Sequence, residues 1–108
     1  MKFSSVPGLH YYANVIDNDS VLNYLQSEKR RWEKGPGQRK VLQFGYEYSY
    51  SQRKVNRKLD AIPNQIKSLF ELLPSKFEQN WNQCIVNRYL PGESISAHTD
   101  HRAFGSII

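Results

Sequence analysis

Hydrophobic and polar positions alternate between two periods along the 108 residues, and each change of period marks an element. Leu9 to Ile16 (Leu-His-Tyr-Tyr-Ala-Asn-Val-Ile) is aromatic and β-branched and predicts a strand. Asp17-Asn18-Asp19-Ser20 offers helix caps, and Val21, Leu22, Leu25 and Trp32 then recur at helical spacing, so a helix is expected to about Trp32. Lys29-Arg30-Arg31 suits the negative end of its dipole. Gly35-Pro36-Gly37 breaks the chain. From Val41 to Tyr50 the residues Leu42, Phe44, Tyr46, Tyr48 and Tyr50 share one parity, the period of a strand. Pro63 opens a second helix, whose apolar stripe of Ile62, Ile66, Leu69, Phe70 and Leu73 stops at Pro74. Such stripes face a core and need no cofactor to explain them. Trp81 to Leu90 predicts another strand, Leu90-Pro91-Gly92-Glu93 a type II turn, and Ile95 onward an extended chain to Ile108. The order strand, helix, strand, helix, then consecutive strands is that of an α+β fold with a β-rich C-terminal part.

Composition narrows the class. With 39% hydrophobic and 13% aromatic residues the chain has enough apolar surface for a core, which excludes a disordered tail. Its apolar runs fall far short of the roughly 20 residues that cross a bilayer, so no membrane partner is expected. The first residues carry no apolar signal core, and the lone Cys84 cannot form an internal disulfide; both fit an intracellular protein, cytoplasmic or nuclear. Charge adds a direction. Between Lys29 and Lys58 stand ten bases and two acids, a net of +8, which leaves −3 for the rest of a chain whose total is +5. Trp32, Phe44, Tyr46, Tyr48 and Tyr50 are interleaved with these bases, a combination that can neutralise phosphates and stack on bases. A solvated face with half-buried strand aromatics would account for the same residues.

The stretch from Asn87 to Asp100 carries the candidate chemistry. Residues two apart in a strand project from one face, so His98 and Asp100 would present an imidazole beside a carboxylate. Such a pair is two thirds of the 2-His-1-carboxylate triad that holds iron(II) with open positions. Asn87 and Tyr89 share a face one strand earlier, and a hairpin at Pro91-Gly92 would bring their amide and phenol near the metal pair. Taken alone, His-x-Asp is a common solvated strand end, and Tyr89 and Trp81 could be core aromatics.

Asn-x-Tyr, Pro-Gly and His-x-Asp in this order and spacing resemble the metal-binding hairpin of the AlkB family of Fe(II)/2-oxoglutarate dioxygenases. Val6-Pro7-Gly8-Leu9-His10-Tyr11-Tyr12 and the capped helix resemble the start of that domain. Phe44-Gly45-Tyr46-Glu47-Tyr48-Ser49 resembles its Gly-Tyr-x-Tyr lid segment, and Ala103 to Ile108 the strand after the metal pair. The resemblance thus runs along essentially the whole chain.

It implies iron ligation by His98 and Asp100, hydrogen bonds from Asn87 and Tyr89 to 2-oxoglutarate, and a substrate lid containing Tyr46 and Tyr48. Arg53 and its basic neighbours would lie close to the phosphates of alkylated DNA or RNA. The implied reaction is oxidative dealkylation, in which an N-methyl group leaves as formaldehyde and the base is flipped out of its stack to be reached. The implied fold is the N-terminal portion of a double-stranded β-helix (jelly roll). Residues 1–80 would form lid and helical support, and residues 81–108 the start of the core. The family's second iron-binding His and the Arg that pairs with 2-oxoglutarate have no counterpart up to Ile108. His101, next to Asp100, is expected on the opposite strand face. This chain alone is therefore expected not to turn over 2-oxoglutarate. Two other functions fit the same residues: a non-catalytic basic module that binds nucleic acid with a vestigial metal pair, and an oxygenase with a non-nucleic-acid substrate.

Overall fold

The computed structural model describes residues 6–28, 32–74, 80–101 and 104–105. Helix α1 spans Asn18–Ser27 and starts where a cap is available: the Asp17 carboxylate accepts the backbone N–H of Asp19 at 3.1 Å. Strand β1 is Glu33–Lys34, β2 is Lys40–Phe44, β3 is Tyr46–Ser49 and β4 is Lys54–Lys58. The short helix α2, Asn64–Lys67, runs into a 3-10 turn at Ser68–Leu72, and β5 is Cys84–Arg88. The strands form an antiparallel sheet in the order β1-β2-β5 and a separate β3-β4 pair, an α+β arrangement.

Central β2 organises the core because both of its faces are covered. Val41, Leu42, Gln43 and Phe44 are all buried. Leu42 and Phe44 point to one side, where Ile62 and Ile66 close on them with Tyr24, Leu25, Trp32, Phe70, Cys84 and Val86 around the edge. On the other side the Gln43 amide grips β3. Its Oε1 accepts the Tyr48 N–H at 2.6 Å and its Nε2 donates to the Tyr48 carbonyl at 3.1 Å, so the buried amide is satisfied at both ends.

Several sequence expectations are corrected. Leu9–Ile16 forms no strand. Gly8 just before the run and Asn14 within it sit at positive φ, which bends the chain at both places, and Leu9, Tyr11, Tyr12, Val15 and Ile16 remain exposed. Helix α1 ends at Ser27, with Glu28 already extended, so Trp32 stands outside it; residues 29–31 lie outside the described ones. The expected single strand Val41–Tyr50 is two strands in two sheets, divided at Gly45, where φ is +83°. Strand β4, fully exposed and basic, has no apolar alternation to announce it. After the turn at Leu90–Glu93, closed by a 2.9 Å bond from the Glu93 N–H to the Leu90 carbonyl, residues 95–101 are irregular rather than extended in a ladder. Of the expected strand after the metal pair, residues 102, 103 and 106–108 lie outside the described ones, and Phe104 and Gly105 are not in a strand. No helix among the described residues is long and apolar enough to cross a membrane.

Candidate functional site

The face of the sheet opposite the helices opens into a cavity of about 480 Å³, within the usual range for small-ligand sites. Strand β5 contributes through its period of two: Gln83, just before it, Ile85 and Asn87 all line the cavity. Tyr48, Tyr50 and Arg53 come from the β3-β4 hairpin, and Pro36 and Arg39 from the segment before β2. The irregular C-terminal stretch closes the remaining side with Ile95, Ser96, His98, Thr99, Asp100, His101 and Phe104.

His98 and Asp100 meet without a strand to align them. Nε2 of His98 lies 3.2 Å from Oδ1 of Asp100, and Nδ1 lies 2.7 Å from the Ser96 carbonyl oxygen. A carbonyl can only accept, so Nδ1 carries the proton there and the lone pair of a neutral ring sits on Nε2. Nε2 of His98 and Oδ1 of Asp100 thus stand 3.2 Å apart as a neighbouring nitrogen and oxygen. This is one nitrogen and one oxygen donor, each side chain about half exposed at 48% and 49%, with its second nitrogen already held as metal-ligating histidines usually are. Among the described residues no group of three or more His, Cys, Asp or Glu side chains could hold a metal ion.

The other candidate residues divide. Asn87, Tyr48 and Arg53 share the cavity with the His98–Asp100 pair. Tyr46 does not line it; its carbonyl oxygen accepts from Gln83 Nε2 at 3.2 Å. Tyr89 lies beyond the end of β5, 39% exposed, and also does not line it. His101 was expected on the face away from Asp100. Without a strand that alternation lapses, and its ring lines the same cavity, 5.9 Å from the Tyr48 ring. Tyr48 is the aromatic hub, with Tyr50 edge-on at 5.2 Å and Phe104 at 5.1 Å.

Arg39 and Tyr50, which the sequence marks only as members of the basic, aromatic-interleaved segment, also line the cavity. Arg39 is a buried cation whose Nε–H donates to Asn87 Oδ1 at 2.9 Å; its Nη1–H donates to the Pro36 carbonyl at 2.9 Å, and its guanidinium lies 5.7 Å from the Tyr50 ring centre. The parity of Gln83, Ile85 and Asn87 was the available signal for the β5 face. Nothing in the basic run distinguished Arg39 from its solvated neighbours.

Burial raises the Tyr50 phenol above its ordinary 10.0, against the opposing hydrogen bond and charge of Arg39, and burial raises the Cys84 thiol above 9.0. In both cases the folded chain holds its proton more firmly than the unfolded one. The resulting stabilisation is whole below the ordinary value and is lost as pH rises through the folded one. Urea midpoints should fall above about pH 9. Cys84→Ala should flatten the early part of that fall and Tyr50→Phe the part above pH 10. Unchanged curves in both variants would contradict this assignment.

Comparison with known proteins finds distant relatives. The chain is 29% identical over 114 residues to the alkylated DNA repair protein ALKBH8 homolog of Arabidopsis thaliana, an alignment covering 96% of the chain and 33% of that protein. It is 28% and 27% identical over 111 residues to the tRNA (carboxymethyluridine(34)-5-O)-methyltransferase ALKBH8 of Macaca fascicularis and of Mus musculus. Similarity to these AlkB homologues supports an AlkB-like family for the chain. The two mammalian alignments cover 91% of the chain and 17% of each mammalian protein, so the chain spans about a third of the plant relative's length and about a sixth of the mammalian ones. No protein-family profile matches it, and no solved structure does.

Proposed function

We propose that the AlkB-like chain forms part of an iron(II)- and 2-oxoglutarate-dependent oxygenase site that removes N-alkyl groups from nucleic-acid bases. The observation that carries this reading is the His98–Asp100 pair, 3.2 Å apart at the wall of a cavity that also holds Asn87, Tyr48 and Arg53. In this reading His98 Nε2 and Asp100 Oδ1 hold the iron, and the Nδ1–H bond to the Ser96 carbonyl fixes the ring and its tautomer. Bound iron and 2-oxoglutarate supply the activation of O₂ and the oxidation of the alkyl carbon. The chain's own residues bind and orient. Asn87 donates to a ligand carboxylate from the cavity wall, whereas Tyr89, outside the lining, would have to turn in from the end of β5 to do the same. Tyr46 and Tyr48 form the lid against the flipped base, and Arg53, with Lys54 and Lys58 on the exposed β4, meets phosphates. Residues 1–80 are the lid and its helical support, and residues 81–108 begin a double-stranded β-helix whose third iron ligand is not among the described residues. The names of the relatives, alkylated DNA repair and tRNA modification, support a nucleic-acid substrate.

The substrate half of the reading is tested by fluorescence anisotropy with a single-stranded oligonucleotide carrying N-methylated bases. Affinity should fall steeply with salt, and Arg53→Ala should lower the slope of log K against log salt by about 0.7, one contact's share. Tyr46→Ala should cost about 1–3 kcal/mol per stacked base with the slope unchanged, because stacking is not ionic. Undetectable or salt-independent binding would point instead to a substrate that is not a nucleic acid.

A further inference from the structure

We infer that Arg39 is a positioning residue, which turns the Asn87 amide so that its NH₂ group faces the cavity as a donor for a carboxylate-bearing ligand. The inference rests on the reading of the cavity as a 2-oxoglutarate site and adds to it the residue that sets the polarity of Asn87.

A side-chain amide can present either end, and nothing in Asn87 itself decides between them. Arg39 decides it. A guanidinium has five N–H donors and no acceptor, so the Asn87 atom 2.9 Å from Arg39 Nε must be the carbonyl oxygen. The amide nitrogen is left for the cavity that Asn87 lines, with no hydrogen bond to another described residue. Arg39 is itself hard to displace. It is buried with 7% of its surface exposed, tied to the Pro36 carbonyl at 2.9 Å and packed beside the Tyr50 ring. Its charge also polarises the bond it makes, so the amide nitrogen becomes a better donor. Arg39 and Arg53 stand against Asp100 as the charged residues of the wall, and once a cation is held at Asp100 the cavity favours an anion. An Asn facing the cavity with its oxygen would repel a carboxylate; with its nitrogen it binds one.

Asn87→Asp separates this role from a merely structural one. One oxygen of the new carboxylate takes over the bond from Arg39 Nε, strengthened by charge, while the other replaces the donor facing the cavity with an acceptor. The expected result is a melting temperature at or above that of the unsubstituted chain, with affinity for succinate and 2-oxoglutarate lowered at least tenfold by calorimetry. Asn87→Ala should bind as weakly and melt lower. Arg39→Lys keeps the charge and loses the fork; it should weaken carboxylate binding severalfold in the unsubstituted background and less than twofold in the Asn87→Ala background.

An Asn87→Asp chain that melts as low as Asn87→Ala, or binds succinate as well as the unsubstituted chain, would overturn the inference. So would additive effects of Arg39→Lys and Asn87→Ala, or an unsubstituted chain that binds neither carboxylate. Failure of the oxygenase reading has a different signature: carboxylates bind as described, but Mn(II) binding does not depend on His98.

Discussion

Gly45→Ala is expected to remove a large part of the stability of the fold. Gly45 is buried between β2 and β3, where the chain leaves one sheet for the other, and its φ of +83° lies in the region that L side chains rarely adopt. A methyl group there would fall against the Asn82 carbonyl oxygen, 2.8 Å from the Asn82 carbonyl carbon and 3.1 Å from the Gln83 Cα. All three are backbone atoms and cannot swing aside. The backbone of Gly45 is also pinned: its N–H donates to the Asp60 carbonyl at 2.7 Å, and its carbonyl accepts the Leu59 N–H at 2.8 Å. Backbone strain of about 1–3 kcal/mol adds to overpacking of about 1–3 kcal/mol, against a total stability on the order of 5–15 kcal/mol for a small domain. Circular dichroism should record a fall in melting temperature of at least about 10 °C, or no cooperative transition. A variant that melts within about 2 °C of the parent would show that Gly45 is not the hinge between the sheets.

Gly45 also shows where the sequence pattern stops being informative. The parity of Leu42, Phe44, Tyr46, Tyr48 and Tyr50 is real, yet it crosses a glycine that sends the chain into a second sheet. Alternation reports which residues face a core and says nothing of which strand pairs with which. The elements most legible in the sequence are those fixed locally: the Asp17 cap of α1, the start of α2 after Pro63, and the Pro91-Gly92 turn. Leu9–Ile16 has the composition of a strand, but Asn14 at φ 59° interrupts it, and composition cannot supply a partner to pair with. Exposed β4 owes its existence to pairing with β3 rather than to its own residues.

The site follows the same division. Asn87 and the cavity face of β5 are readable from a period of two, because β5 is a true strand with Asn87 opposite Val41. The proximity of His98 and Asp100 was expected from that period as well, but their segment is irregular and the two side chains meet by a different route. His101 could join the same cavity for that reason. Arg39 lies outside any such rule. Its contact with Asn87 spans 48 positions, and its burial depends on Pro36 and Tyr50 as much as on itself.

The proposed metal pair, His98 and Asp100, carries the central claim and the second large effect. Mn(II) prefers oxygen and nitrogen donors and reports on its water shell, so it can stand for iron(II) without redox chemistry. With two ligands from the described residues most of the coordination sphere is left to water, which makes binding weak and the relaxation of bulk water strongly enhanced. Removing either ligand leaves a single donor on a half-exposed side chain. Because His98 and Asp100 are about half exposed and outside the buried cluster of Leu42, Phe44, Ile62 and Ile66, His98→Ala and Asp100→Ala should fold as the parent does. The measurement is a Mn(II) titration followed by water-proton relaxation, on the unsubstituted chain and both variants. The expected result is saturable enhancement in the unsubstituted chain, with affinity at least tenfold weaker in each variant. Equal enhancement in the unsubstituted chain and His98→Ala would contradict the metal site, and with it the oxygenase reading.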